Sequence, residues 1–331
     1  MGKECSVMSN VNITKIESVN KKVEREDSKW AATWREYKKN RYLFFMLIPV
    51  IVWYAIFHYA PLYGILLAFK DFSPMLGILH SPWVGLDHFK FLFFQSPDFM
   101  RIFLNTLLIS CYHMIFGFPA PIILALLLNE LRFGWFKRIA QTISYLPHFF
   151  SWVVLSGIVI VMLSPSEGPV NYLLNMVGIE PIYFLADTDY FRSTLVGTGI
   201  WKEIGWGTII YLAALTGIDP TLYEAAVIDG ANRRKQIWYI TLPSLLPVIT
   251  ILFILSLGGI LNAGFDQIFN LYNPAVYEVA DIIDTYVYRA GIVGAQFGLT
   301  TAVGLFKNVI GIALVLGTNY VVKKMGQEGV L

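Results

Sequence analysis

The sequence predicts an all-α integral membrane protein with six transmembrane helices, and three observations carry that expectation. Of the 331 residues, 56% are hydrophobic, 15% aromatic and only 15% charged, and the mean hydropathy of +0.58 is far above that of a soluble domain covered in charge. Six apolar stretches each approach the ~20 residues that a helix needs to cross a bilayer. Lys and Arg gather in alternate connections between those stretches, the asymmetry that fixes orientation in a membrane.

Met1 to Arg41 holds ten Lys or Arg against six Asp or Glu and no apolar run long enough for a signal-peptide core, so this tail is expected to stay in the cytoplasm. Trp30, Trp34, Tyr37 and Tyr42 alternate with Lys29, Arg35, Lys38, Lys39 and Arg41, a pattern that suits either a helix lying along the headgroups or a charged flank that sets orientation. The spans are placed at Leu43 to Leu67, Ile102 to Leu128, Ile139 to Leu163, Thr194 to Leu215, Leu245 to Phe269 and Leu299 to Val322. Pro49, Pro119, Pro121, Pro147 and Pro247 lie within or beside them, so several spans are expected to be kinked.

The basic residues then assign sides. Besides the tail, Arg132, Lys137 and Arg138, then Arg233, Arg234 and Lys235, then Lys323 and Lys324 fall on one side, against Lys70, Lys90, Arg101, Arg192 and Arg289 on the other. By the positive-inside rule the second and fourth connections and both termini are cytoplasmic. Of the outer connections, Lys70 to Arg101 is aromatic and Pro-broken and Ser164 to Arg192 is acidic. Val279 to Arg289 in the third reads as a short helix on the outer face, where a delivering protein would dock.

A net charge of +2 argues against a nucleic-acid partner. The two cysteines, Cys5 and Cys111, imply no disulfide framework. His58, His80, His88, His113 and His148 show no metal-ligand spacing and read as packing or interfacial residues. No Gly-rich loop ending in Gly-Lys-Ser or Gly-Lys-Thr occurs, so ATP has to be supplied by a partner if it is used. No nucleophile elbow or recognisable catalytic carboxylate pair points to an enzyme.

Charges at membrane depth are the candidates for function. Lys202 and Glu203 lie roughly 12 to 14 Å into the fourth span and Lys307 roughly 12 Å into the sixth. None is expected to face lipid, where such groups cost at least ~2.5 kcal/mol. Matching depth makes Glu203 and Lys307 candidate partners, either as a lock between spans or in the pathway itself. Trp201, Trp206, Tyr211, Asp266, Gln267, Asn270 and Asn308 add aromatic faces and hydrogen-bonding groups to the candidate pathway on spans four, five and six, with helix packing as the other reading of the tryptophans.

The stretch around which the chain is organised is Tyr223 to Lys235, closed by Ile240-Thr241-Leu242-Pro243. Asp219 suits a cap, Pro220 a first helical turn, and Gly230 a turn before a second helix. Glu224-Ala225-Ala226, two residues, Asp229-Gly230-Ala231, then Leu242-Pro243 and Pro247 resemble the EAA loop of the permease subunits of bacterial ABC importers, in the form found in the carbohydrate-uptake class. Trp201 to Gly207 and Phe265 to Leu271 are similar to its six-span oligosaccharide branch, and the likeness runs from about Tyr42 to Lys324.

That resemblance implies a type I importer permease fold in a bacterial plasma membrane. It implies a cytoplasmic tail at 1–41, a six-span domain at 42–325 with a coupling loop at 218–243, and a C-terminal tail at 326–331. Glu224, Ala225, Ala226, Asp229, Gly230 and Ala231 would engage the ATPase. The partners it implies are a second related permease, two cytoplasmic ATPase subunits holding ATP and Mg, an extracellular solute-binding protein and a saccharide cargo, with no cofactor in this chain. An ion-coupled secondary transporter, kept open by Lys202, Glu203 and Lys307, and a permease for amino acids or peptides are the other readings.

Overall fold

A computed structural model describes residue 34 and residues 38–324. Most of the expected headgroup helix around Trp30, and the C-terminal tail at 326–331, lie outside the described residues. The chain divides after Gly64 into two units. In the first, helix α1 (Arg41–Tyr54) contains Pro49 and buries no residue, as befits an apolar helix whose solvent is lipid.

Among the described residues four helical runs are long and apolar enough to cross a bilayer: Arg41–Phe69, Phe99–Glu130, Arg233–Gly258 and Phe297–Tyr320. In the second unit these runs comprise α2 (Phe99–Tyr112) leading through a π turn into α3 (Pro119–Glu130), and, further on, the short α8 (Arg233–Gln236) leading through another into α9 (Leu242–Gly258). The last is the start of α12 (Phe297–Lys324).

The third expected span is not one helix. Gly134 to Tyr145 forms α4, with Trp135, Phe136, Ile139 and Ile143 exposed and Lys137, Arg138 and Gln141 between them, an amphipathic pattern for an interface. Pro147 sits in a 3-10 turn, and the chain bends by 110° before α5 (Trp152–Met162). The fourth segment, α6 (Thr188–Thr216), has 29 residues, about 43 Å of helix, and Asp189, Arg192, Lys202 and Glu203, with its Thr and Gly residues, make it less apolar than the others. The fifth ends at Gly258 instead of Phe269: Gly264, at φ +86°, reverses the chain into the separate α10 (Phe265–Leu271).

Helices in lipid lack a hydrophobic force to drive them together, so close approach at small residues does that work. α6 packs most extensively on α3 and α4, and a Cβ on Gly205 would collide with the Ser144 carbonyl of α4. Along α6, Phe191 and Leu195 belong to one buried cluster with Ile109, Val159 and Ile268, while Tyr211 and Leu215 belong to another with Ala125 and Leu245. The turns of α6 between the two clusters face cavities.

The third outer connection also differs from expectation. Ala280, Asp281, Ile282, Ile283 and Thr285 are buried, so the segment leading into α11 (Ile283–Val287) packs into the core on one side, while Tyr288 is exposed. The Asn105 carboxamide donates to the carbonyls of Glu278 (2.8 Å) and Asp281 (3.2 Å), and Arg289 grips Asp281 through two bonds of 2.6 and 3.1 Å. Polar side chains thus satisfy backbone that would otherwise be stranded in an apolar setting.

Candidate functional site

Two regions combine exposed or cavity-facing polar groups with defined local structure. The first is the loop between α6 and α9. The Asp219 carboxylate accepts from the Thr221 N–H at 2.9 Å, a bond that holds its pKa below the usual carboxylate value. Pro220 then opens α7 (Pro220–Ile228). At its end the Gly230 N–H reaches the Val227 carbonyl (3.1 Å) and the Ala231 N–H the Ala226 carbonyl (2.8 Å), with Gly230 at φ +75°. That is a Schellman ending, and a side chain at its left-handed position is strained.

Asn232 immediately restarts the chain, its carboxamide oxygen accepting from the Lys235 N–H at 3.0 Å to begin α8. The Tyr223 hydroxyl meets Thr241 at 2.9 Å and ties the loop across its base. Glu224, Ala225, Asp229 and Gly230 are exposed, and Ala226 and Ala231 partly so. Val227 and Ile228 are 62% and 86% exposed, and among the described residues Glu224 has no hydrogen-bonding or ionic partner. A rigid, doubly capped knuckle carrying free acid and apolar side chains is a surface made for contact.

The second region lies between the two helix breaks. A cavity of about 300 Å³ is lined by His113, Trp152, Gly199, Glu203, Asn262 and Gln267 among others, and a neighbouring one of about 250 Å³ shares His113 and Asn262. Glu203, its side chain 53% exposed, lies 2.9 Å from His148 Nδ1. The imidazole of His148 stacks in parallel on Trp206 at 4.4 Å. Behind them the Lys202 ammonium donates to the carbonyls of His148 (2.9 Å) and Phe150 (2.7 Å), capping the backbone at the 110° bend, and lies 5.7 Å from the Trp152 ring. Gln267 donates to the Leu195 carbonyl (2.7 Å) and the Thr198 hydroxyl (2.8 Å).

Lys202 and Glu203 therefore have partners that spacing on α6 could not give. The expected pairing of Glu203 with Lys307 does not form: Lys307 binds both oxygens of Asp284 at 2.6 and 2.8 Å, because the third connection packs inward and brings an acid to the middle of α12. Of the other expected pathway residues, Tyr211 is buried in the cluster with Leu245. Trp201 is 41% exposed, and Asp266 and Asn308 are exposed. Asn270 bonds the Asp266 carbonyl within α10. The structure gathers only Glu203 and Gln267 at the cavity, with Lys202 and Trp206 beside them.

It adds Trp152 and Asn262, which the sequence reading passed over, and His113 and His148, which that reading assigns to packing or the interface. Among the described residues neither the His113 nor the Asn262 side chain has a hydrogen-bond partner. The available signals were the Pro147-His148 pair inside an apolar run and the Gly258, Gly259 and Gly264 cluster that ends α9. A larger cavity, of about 600 Å³, lies toward the start of α6 and shares Ile200 with the first.

With this geometry in view the relatives are informative. Residues 117–327 match the family described as the binding-protein-dependent transport system inner membrane component. The protein LplB of Bacillus subtilis (strain 168) is 48% identical over 292 residues, covering 88% of this chain and 92% of that protein. The polygalacturonan/rhamnogalacturonan transport system permease protein YteP of the same organism is 46% identical over 88% of this chain and 91% of its own length. Among solved structures, a chain of a bacterial alginate ABC transporter in complex with an alginate pentasaccharide-bound periplasmic protein superposes with a TM-score of 0.83, at 43% identity, over 90% of this chain and 99% of its own.

Proposed function

The chain belongs to the family of binding-protein-dependent transport system inner membrane components, and from that membership we propose that it forms half of the transmembrane pathway of an ATP-driven importer for an oligosaccharide or related saccharide. A second, related permease supplies the other half. An extracellular binding protein delivers the cargo, and two cytoplasmic ATPase subunits, which hold ATP and Mg, drive the switch between inward- and outward-facing states.

The Pro220–Gln236 knuckle is the observation that carries this reading. Its basic residues Arg233, Arg234 and Lys235 support assigning it to the cytoplasmic side of a bacterial plasma membrane, the side to which the positive-inside rule also assigns both termini. Glu224 enters a cleft on the ATPase as the polar contact, and the Schellman turn at Gly230 fixes the angle at which α7 is presented. Closure of the ATPase dimer then rocks the packed spans as rigid bodies about the cavity between the helix breaks, where transporter sites are built from interrupted helices. In that cavity His113, Asn262 and Glu203 offer hydrogen bonds to hydroxyls, and Trp152 offers a flat face to a ring.

The loop is tested by Glu224→Lys, which reverses the contact charge, and Gly230→Val, which puts a β-branched residue at φ +75°. Both lie outside the apolar spans, so insertion into the membrane is retained. Each variant is expected to lose ATPase subunits on co-purification and to lose cargo-stimulated ATP hydrolysis and uptake together. Full assembly with wild-type uptake in both would remove the knuckle from the mechanism.

A further inference from the structure

We propose that five aromatic residues, Phe265, Phe269, Tyr288, Tyr272 and Tyr277, form a strip on which the rings of a saccharide chain stack between the outer face and the inner cavity, so that the strip selects for chain length. The inference rests on the importer reading above and assigns a lining to the outer part of its pathway. The rings follow one another in space. Phe265 stacks on Phe269 at 5.2 Å and Tyr288 meets Phe269 edge-on at 4.8 Å. Tyr272 lies 6.1 Å from Phe269, and Tyr277 lies 5.0 Å from Tyr272. They come from α10, from the connection that follows it and from the residue after α11, so three separate stretches of sequence contribute to one row.

The two sides of α10 explain the placement. Gln267, Ile268 and Leu271 are buried: Gln267 bonds to Leu195 and Thr198 on α6, and the other two belong to the cluster with Phe191 and Leu195. Positions 265, 269 and 272, spaced by four and three, share the opposite side of the helix. There Phe269 is 36% exposed, and Tyr288 beside it 37%. Tyr272, at the border, packs against the buried cluster as well, which gives the row a rigid base. At the inner end Phe265 follows directly on Gly264, which lines the cavity of about 300 Å³ together with Asn262 and Gln267. At the outer end Arg289, gripped by Asp281, lies 5.3 Å from the Tyr277 ring.

Flat aromatic faces bordered by a few polar groups are the usual chemistry of a small-molecule site, and a pyranose offers both counterparts, C–H faces to the rings and hydroxyls to the border. Three of the five residues are tyrosines, whose bodies are apolar and whose tips bond. Asp266 is exposed on the adjoining side of α10 and the Arg289 side chain is 40% exposed. A row facing lipid alone would not be edged by a carboxylate and a guanidinium. Stacking asks no particular charge of the sugar, and a series of similar weak contacts lets a chain advance without being trapped, as multi-site conduction requires.

The test uses the complete transporter with its partner permease and ATPases in nanodiscs, without binding protein. The probes are fluorescently tagged disaccharides and tetrasaccharides of glucose, xylose and galacturonate. For whichever sugar binds, wild type is expected to hold the tetrasaccharide more tightly, because only the longer chain reaches from the inner cavity onto the strip. Phe269→Leu and Tyr288→Leu keep apolar bulk at partly exposed positions and remove a flat ring. Each is expected to weaken the tetrasaccharide about threefold to tenfold, the size of a lost ring contact, and to leave the disaccharide within about twofold. Tyr288→Phe keeps the ring and is expected to retain the wild-type preference for length.

Equal loss of both lengths in the leucine variants, or loss of neither, would overturn the strip. Equal affinity of wild type for the two lengths would do so while leaving the saccharide importer standing, whereas binding of no probe would remove both. Tyr288→Cys, in a background lacking Cys5 and Cys111, is expected to react with a water-soluble maleimide and to be protected by the tetrasaccharide. A thiol that does not react would mean that lipid or the second permease covers this position, which also contradicts the proposal.

Discussion

Lys202 and Lys307 show how an ionisable side chain is accommodated at membrane depth. Their positions in apolar runs were legible from the sequence, and so was the conclusion that neither faces lipid. Their partners were not, because both depend on segments that leave regular helix. Lys202 satisfies two backbone carbonyls at a bend, and Lys307 meets an acid delivered by α11. The Lys307–Asp284 pair is mostly buried, with side chains 16% and 26% exposed, so losing one member leaves a charge without its counterion, at about 3 to 5 kcal/mol for a well-buried pair and less in proportion to exposure. Lys307→Met and Asp284→Asn should each lower the thermal stability of the purified protein, and the double variant should recover part of the loss. Simple additivity, or recovery when Lys307→Met is combined with Glu203→Gln instead, would disprove the pairing.

At the level of elements, four of the expected spans are long, apolar helical runs among the described residues, but hydropathy treated two broken segments as continuous. A sliding count of apolar residues sees Ile139 to Leu163 as one span. The amphipathic spacing of Trp135, Lys137, Arg138 and Ile139 is the signal that α4 lies apart, with Pro147 marking the bend. In the same way the glycines at 258, 259 and 264 mark the end of α9, while a run of mixed residues as far as Phe269 obscures it. The loop knuckle was legible almost residue by residue, since Asp219, Pro220, Gly230 and Asn232 are local signals that need no tertiary information. Gly205 is the opposite case: nothing around it in sequence announces that α4 backbone passes directly over it. Gly205→Val must push α4 from α6, and overpacking of this kind costs about 1 to 3 kcal/mol or more. Reduced yield and a lower melting temperature are expected, with Gly197→Ala, where a Cβ meets open space, as the tolerated control. Equal behaviour of the two would mean that the helices do not approach at Gly205.

For the molecule as a whole, the buried clusters at either end of α6 with cavities between them suit the proposed rocking transporter: two rigid contacts with open space between them for the proposed cargo site. Composition was sufficient to place the chain in a membrane, and the loop pattern to place it among importer permeases. The cavity was not legible, because His113, Trp152 and Asn262 come from three separate segments that only the two breaks bring together. An ion-coupled transporter would also place charges at mid-membrane, yet here Lys202 and Lys307 are both occupied by internal partners. The most direct measurement is uptake of a labelled oligosaccharide into vesicles containing this chain, its partner permease and the ATPases. The account predicts uptake that requires binding protein and ATP on opposite sides of the membrane and that persists when proton and sodium gradients are collapsed. Uptake by this chain alone, driven by an ion gradient without ATP, would contradict it.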